Sequence, residues 1–468
     1  MSNAFSLEND TIVAPATGST RAAVAIVRLS GPQAVAIGEA LFRPAGNRRV
    51  SEFESHRLYR GCIVSPSGEI LDDCLATVMR APRSFTGEDV VEFHLHGSPI
   101  IVQSVVGACV EKGARLARPG EFTQRAFFNG RLDLAQAEAV ANLVAAQTKL
   151  SHRLALRQLE GGLSRAIHEL REELLDATAE LEAWIDFPEE DIPFPALEKH
   201  TEMLQRVESE ISRLLKTFRV GQVAVEGARV ALVGAPNAGK SSLFNALVGR
   251  ERAIVTPHPG TTRDTIESTV DLMDLPITLV DTAGLRDTQD EIEALGIERS
   301  RQEVSHADVV VWVIDCSVPS VLEAFECLPP IANYRERLIV ALNKIDVAPQ
   351  DAVTELEREF AQQDFPVVRI SCTLRIGLDA LEKLIRERLI GAEPAAQEVC
   401  ITNLRHANCL GRASEALKRA LDGLSRGMPP EFISLELQEA IAELGAIVGL
   451  GTGEEILDRI FSRFCIGK

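Results

Sequence analysis

No apolar run in the 468-residue chain approaches the roughly 18 residues needed to cross a bilayer. The start, Met1-Ser2-Asn3-Ala4-Phe5, lacks a basic stretch followed by an apolar one. A cytoplasmic protein with no membrane attachment is therefore the expectation. The nine cysteines never form C-x-x-C or a paired metal-type spacing, which argues against a zinc site or a disulfide framework and for reduced, buried thiols. Positive charge is short as well, with 49 Lys and Arg against 68 Asp and Glu and a net charge of −19. That field works against a free-standing RNA binder, because neutralising phosphates supplies most non-specific nucleic-acid affinity. If RNA is the substrate, a local basic patch or a partner has to help hold it.

What is present is ordinary for a globular protein: 46% hydrophobic and 25% charged residues, in a length worth two to four domains. Residues 1–125 alternate β-like runs (Val24–Leu29, Cys74–Met79, Val90–Leu95) with helical ones, separated by turns at Ser65-Pro66-Ser67-Gly68 and Ser84-Phe85-Thr86-Gly87. They read as an α+β domain. Residues 126–222 carry helical spacing, as at Leu134, Ala137, Val140 and Val144, with a break at Gly161-Gly162. The helical pattern returns over residues 391–468. The two flanks predict one discontinuous helical domain enclosing an inserted α/β segment, residues 223–390, with a mostly parallel sheet of Ras-like type.

That insert carries the most specific chemistry. Val230-Ala231-Leu232-Val233 is a buried-strand run leading into Gly234-Ala235-Pro236-Asn237-Ala238-Gly239-Lys240-Ser241, then the helical Ser242-Leu243-Phe244. This is G-x-x-x-x-G-K-S between a strand and a helix, the P-loop pattern, against which an accidental glycine loop is the bland alternative. Its glycines let backbone N–H groups surround phosphates, Lys240 reaches the β and γ oxygens, and the Ser241 hydroxyl ligates Mg²⁺. Asp281-Thr282-Ala283-Gly284 ends a second strand where metal and γ-phosphate are sensed. Asn343-Lys344-Ile345-Asp346 follows the apolar Leu338–Leu342, and the Asp346 carboxylate accepts from two N–H donors of guanine that adenine does not offer. The pattern selects GTP. Ser371-Cys372-Thr373 fits the last base-contacting loop, with Cys372 at a position usually held by alanine.

Between these motifs lies Thr256-Pro257-His258-Pro259-Gly260-Thr261-Thr262, placed to give Mg²⁺ a threonine oxygen. Thr262 is the assignment, with Thr261 its nearest rival, and a plain β-turn is the alternative. Leu285 stands after the D-T-A-G run, so the usual water-orienting glutamine is missing. Another polar residue from the acidic segment Asp287–Glu298 has to serve.

The flanking motifs are more specific still. They include Asp10-Thr11-Ile12-Val13-Ala14, Ser84-Phe85-Thr86-Gly87-Glu88-Asp89, Arg118-Pro119-Gly120-Glu121-Phe122-Thr123-Gln124-Arg125, Leu132-Asp133-Leu134-Ala135-Gln136-Ala137-Glu138 and the terminal Phe464-Cys465-Ile466-Gly467-Lys468. In these the chain resembles, over nearly its full length, the MnmE (TrmE) family of bacterial tRNA-modification GTPases. The resemblance implies a homodimer working with the flavoprotein MnmG to add an aminomethyl or carboxymethylaminomethyl group at C5 of the wobble uridine of tRNA. It implies a reduced folate, 5-formyl- or 5,10-methylene-tetrahydrofolate, at Arg28, Glu88, Arg131 and Lys468. It also implies a K⁺ cage from Asn237, Thr256, His258 and Thr261, and Glu293 as the residue orienting the attacking water.

Where many relatives carry lysine, this chain has Arg131, which keeps the charge and changes the geometry. Plainer readings stand beside these. Arg28 and Glu88 form a structural ion pair; Glu293 belongs to a solvated acidic helix start; His94 and His96, on one strand face, suggest a metal but lack a third ligand in the sequence; Cys465 is a structural thiol or a nucleophile. A different function, a ribosome-assembly GTPase, calls for an appended basic RNA-binding module, and none is evident after Gly391.

Overall fold

A run that alternates buried and exposed side chains belongs in a sheet with one covered face. In a computed structural model the run beginning at Ala22 does this, with Ala25, Val27 and Leu29 buried and Val24, Ile26 and Arg28 turned to the other side. The structure describes residues 10–18, 20–186, 197–250, 266–281, 304–318, 334–391 and 399–468. By their contacts these fall into two units, one of Met1–Val144, Gln158–Glu180 and Leu437–Lys468, the other of Ala145–Arg157 and Leu181–Glu436.

In the first unit, β1 (Ile12–Pro15), β2 (Ala22–Ser30), α1 (Ala34–Leu41), β3 (Phe42–Pro44), β4 (Tyr59–Val64), β5 (Ile70–Met79), β6 (Val90–Gly97), α2 (Pro99–Glu111) and β7 (Arg115–Leu116) follow in order. They build a seven-stranded sheet ordered β3-β4-β5-β6-β2-β1-β7. Its pairs are antiparallel except β1 with β7. Ile37 and Leu41 of α1 and Val105 and Cys109 of α2 pack with Val27, Leu29, Phe93 and Leu95 to form the core. Each large side chain buried there contributes about 1.5–3 kcal/mol. The opposite face of β2 and β6 is left for Arg28, Glu92 and His94, and Arg28 lies directly across from Glu92 in the register.

Helices α3 (Glu121–Phe128), α4 (Leu134–Ala145), α5 (Lys149–Leu159) and α6 (Gly162–Asp186) come next. Gly161, at φ +82°, divides α5 from α6 as its sequence predicts. Leu134, Ala137 and Val140 pack with Leu457, Phe461 and Phe464 from the far side of the insert.

The second unit continues with α7 (Leu197–Lys216), α8 (Phe218–Glu226), β8 (Ala228–Val233), α9 (Lys240–Arg250), β9 (Ile266–Leu272), β10 (Leu275–Asp281), β11 (Val309–Asp315), β12 (Leu338–Asn343), α10 (Gln350–Gln362), β13 (Val367–Arg369) and α11 (Leu378–Ile390). The sheet order is β13-β12-β11-β8-β10-β9, parallel except where β9 runs against β10. Near-continuous apolar strands such as Leu338–Leu342 are what a sheet covered on both faces requires.

Three more helices follow: α12 (Leu404–Ser425), α13 (Pro430–Val448) and α14 (Glu454–Phe461). Asn403 caps α12, its Oδ1 accepting from the Arg405 amide at 2.8 Å. Helices α7 and α12 pack together, with Glu208 accepting from Ser414 Oγ at 3.0 Å and lying 3.3 Å from Lys418 Nζ. The sequences flanking the insert thus meet in both units.

Gly221 on α8 marks one such contact, since a Cβ there would fall 2.2 Å from the Ile401 carbonyl oxygen. On an open helix Gly→Ala stabilises by about 0.5–1 kcal/mol. At this position the backbone must shift, and Gly221→Ala is expected to cost about 1–3 kcal/mol instead. A thermal melt decides the sign: a raised melting temperature would show that the contact yields freely.

Candidate functional site

In the insert's sheet, β8 lies between β10 and β11, so the loop leaving β8 opens at the point where the strand order reverses. Such a point leaves a crevice beyond the carboxyl ends of the strands, where open parallel sheets bind ligands. The loop needs conformations that few side chains allow. Gly234 sits at φ +150° with no room for a Cβ, which would lie 2.2 Å from the Val313 carbonyl oxygen. Gly239 is at φ +101°, and a Cβ there would lie 2.2 Å from Asn343 Nδ2. Asn237 adopts the left-handed region at φ +63°.

Lys240 opens α9 and is buried, its Nζ donating to the carbonyls of Gly234 at 2.8 Å and Ala235 at 2.9 Å. The ammonium therefore spans the loop. Ser241 and Ser242 follow on the first turn of α9, both exposed. Ala238 is buried in the core and Asp281 is buried at the end of β10. Asn343 ties these parts together: Nδ2 donates to the Ala238 carbonyl at 2.8 Å, and Oδ1 accepts from the Cys372 amide at 3.4 Å.

Ser371 closes a small loop with Ile376 through two backbone bonds of 3.0 and 3.1 Å, and its Oγ accepts from the Leu374 amide. Asp346 is exposed. Lys344, left-handed at φ +63°, donates to Asp315 Oδ2 at 2.6 Å. Burial opposes ionisation of Asp315, yet Lys344 and Ser317 hold its carboxyl below the usual range. The sequence reading passed over Asp315, although it ends an apolar strand just as Asp281 and Asn343 do. Thr256, Pro257, His258, Pro259, Gly260, Thr261, Thr262, Thr282, Ala283, Gly284 and Glu293 lie outside the described residues.

The first unit brings a second set together. Arg28 Nε donates to Glu92 Oε1 at 2.7 Å, and its guanidinium stands 5.4 Å from the Phe85 ring centre and 5.7 Å from that of Phe122. Glu88 accepts from Ser30 Oγ at 2.6 Å and from Arg125 Nη1 at 3.2 and 3.3 Å. An Arg28–Glu88 ion pair is thereby corrected: each has a different partner, Glu92 being in register with Arg28 on the neighbouring strand.

Arg131 is exposed, its Cγ 3.2 Å from where a Cβ on Gly87 would stand. Lys468 follows Gly467, which packs so tightly on β1 that a Cβ would fall 1.9 Å from the Pro15 carbonyl oxygen. Since Pro15 and Ala14 pair with Val27 and Arg28, the chain end reaches the strand beside Arg28. His94 Nε2 lies 3.4 Å from Glu92 Oε2, and His96 Nδ1 lies 2.8 Å from Asp72 Oδ1. Among the described residues no group of three or more metal-ligating side chains occurs.

Comparison with known proteins bears on the whole length. A model described as GTP-binding protein TrmE N-terminus matches residues 11–131, and one for the MnmE helical domain matches residues 134–465. The chain belongs to the MnmE family. The tRNA modification GTPase MnmE of Heliobacterium modesticaldum is 43% identical over 466 residues, covering 98% of this chain and 99% of that protein. MnmE of Syntrophotalea carbinolica is 43% identical across 99% of this chain and 100% of its own. MnmE of Geobacillus thermodenitrificans is 42% identical across 98% and 100%. The MnmE helical-domain match begins before the inserted sheet and ends after it, in keeping with a helical domain drawn from both flanks.

Among the described cysteines of this MnmE-family chain, Cys465 is exposed, whereas Cys74, Cys109 and Cys316 are buried. Burial pushes Cys109 up to about 12. Burial does the same to Cys74, helped by Asp72, and to Cys316, helped by Asp315. At pH 8 a thiol with a pKa near 12 is ionised about one part in ten thousand, so thiolate chemistry there is suppressed. Brief alkylation of the native protein at pH 8 should modify Cys465 and spare these three. Peptide mass mapping reads this directly, and early labelling of Cys109 would contradict the packing described.

Proposed function

We propose that this chain is a GTP hydrolase that acts in modification of the wobble uridine, U34, of tRNA. It works as a homodimer with the flavoprotein MnmG and adds a carboxymethylaminomethyl or aminomethyl group at C5, using a one-carbon unit from 5-formyl- or 5,10-methylene-tetrahydrofolate. The observation that carries the nucleotide half is the Asn343 amide, bonded at once to the phosphate-loop carbonyl of Ala238 and to the Cys372 amide beside Ser371. One side chain thus sets the phosphate loop at a fixed place relative to the base-reading loop.

In this reading Asn237, Ala238, Gly239, Lys240, Ser241 and Ser242 take the phosphates, and Asn343, Lys344, Asp346 and Ser371 take guanine. Asp346 reads two N–H donors by accepting both. Mg²⁺ fits the oxygen set of Ser241 and Thr262, and when bound it offsets charge on the β- and γ-phosphates. The buried carboxylate of Asp281 stands ready to accept from water in that shell. K⁺ fits Asn237, Thr256, His258 and Thr261 through side-chain and backbone oxygens. Glu293 orients the attacking water, since Leu285 has no polar group with which to do so.

The folate half rests on complementary chemistry in the first unit. Glu88 presents a carboxylate to paired N–H donors of a pterin ring, Phe85 offers flat apolar surface, and Arg28, Arg131 and Lys468 offer positive charge to carboxylates. Domain limits of 1–125, 126–222, 223–390 and 391–468 assign these roles to an N-terminal domain, an inserted GTPase domain and a helical domain made of two segments.

Mass spectrometry of wobble uridines from cells lacking the protein tests the reading as a whole. Loss of the C5-modified nucleoside is expected, and an unchanged nucleoside profile would remove the proposal.

Turnover of GTP in KCl and in NaCl tests the hydrolytic part. Wild type should be faster in KCl, and Glu293→Ala should bind GTP normally while turning over at least about 10²-fold more slowly. Equal rates in the two salts would remove the potassium cage, and an active Glu293→Ala would remove the water-orienting role.

A further inference from the structure

We infer that Arg125 is a positioning residue that fixes the orientation of the Glu88 carboxyl group, and that preference for ligands carrying a 2-amino-4-oxopyrimidine edge depends on this fixed orientation. The inference rests on the proposed folate site and deepens it. Arg125 lies on α3 with its side chain 2% exposed, so it is too enclosed to meet a ligand itself. Its guanidinium is divided among acids on three segments. Nη1 donates to Glu88 Oε1 and Oε2 at 3.2 and 3.3 Å and to the Asp10 carbonyl at 2.9 Å. Nη2 donates to Asp10 Oδ1 at 2.5 Å and to Glu121 Oε1 at 3.2 Å.

Arg115 joins the cluster, with Nε on Asp10 Oδ2 at 2.7 Å and its two Nη atoms on Glu121 at 2.6 and 3.1 Å. Arg118 adds a third guanidinium, its Nε 3.6 Å from Glu121 Oε2, so three carboxylates face three guanidinium groups. Glu121 is nearly enclosed at 3% side-chain exposure and takes bonds from Arg115 and Arg125, and Asp10 likewise bonds to both. Glu88 pairs with Arg125 and keeps 19% of its side chain exposed.

Both Glu88 oxygens are held from one side by the same Nη1, and Ser30 Oγ fixes Oε2 at 2.6 Å. Ser30 is itself set by Thr86, the two hydroxyl oxygens being 2.7 Å apart. A carboxylate locked at this angle presents its remaining lone pairs as a parallel pair, which suits two adjacent N–H donors. The ring N3–H and 2-amino group of a reduced folate are such a pair; a ring lacking the 2-amino group offers one donor and leaves a fixed acceptor unmet. Lysine at position 125 keeps the charge but has no planar fork, so it cannot hold Glu88, Asp10 and Glu121 at once.

The test uses the full chain as wild type, Arg125→Lys and Glu88→Gln, titrated calorimetrically with 5-formyltetrahydrofolate and with its 2-desamino analogue. Wild type is expected to prefer the parent compound. In Arg125→Lys the parent should weaken at least about tenfold while the analogue changes little, because the lost element is a specific acceptor geometry. If both compounds weaken alike, Arg125 serves only the fold; if neither weakens, it does not position Glu88; either result overturns the inference. Glu88→Gln separates the two levels. Full preference retained in Glu88→Gln would show that the folate does not sit on Glu88 at all, so that the site reading fails, whereas preference lost in Glu88→Gln but kept in Arg125→Lys overturns the positioning role alone.

Discussion

The inserted sheet depends on one side-chain amide. Asn343 donates to the phosphate loop and accepts from the loop after β13, and its Nδ2 fills the volume where any Cβ on Gly239 would have to go. A buried amide bond is worth about 0.5–1.5 kcal/mol net, but leaving its partner unmet costs about 1–3 kcal/mol. Its removal would therefore leave the Ala238 carbonyl and the Cys372 amide without this partner and loosen two loops at once. Glycine at 239 and asparagine at 343 are two halves of one packing solution.

The first unit reaches rigidity by another route. Its sheet is apolar on one face, and charged groups on the other face and beside it are paired before any ligand enters: Arg28 with Glu92 on the sheet, and Glu88, just before β6, with Arg125 on α3. Desolvating such charges is expensive, and they persist only because each has several partners. Asp10 and Glu121 illustrate the balance, since burial opposes their ionisation and the two arginines nonetheless hold both carboxyls below their ordinary range. Acid should therefore loosen this cluster: groups with depressed folded-state values stabilise above their unfolded values and lose that contribution as pH falls through the folded ones.

The phosphate loop was legible in the sequence because its geometry is local: strand, glycines, lysine and helix are consecutive, and β8 and α9 begin and end close to where residue patterns place them. Strand β12 and the Gly161 break were legible for the same reason. The ion pairs were not. Nothing near Arg28 in the sequence names Glu92, and only the β2–β6 register brings them together. Arg125 stands inside a motif that marks the family, and Glu121 is four residues away on the same helix, yet its burial among three acids depends on Asp10 and Glu88 arriving from separate segments. Asp315 was missed because a lone acid at a strand end is a weak signal until Lys344 is seen to bond to it.

Gly467 against Pro15, and Gly120 against the Phe461 carbonyl, have a consequence for biosynthesis. A ribosome extends a chain by about 5–20 residues each second, and domains fold as their residues emerge. The inserted sheet is complete once Arg369 is out. The first unit is not, because Phe461, Phe464 and Gly467, which pack on α4 and β1, are made long after the elements they cover. Through most of translation, then, the aromatic seats for Phe461 and Phe464 on α4 lie open beside the nascent chain. Chaperones that recognise exposed apolar surface have their longest opportunity at the segment that was made early and finished last.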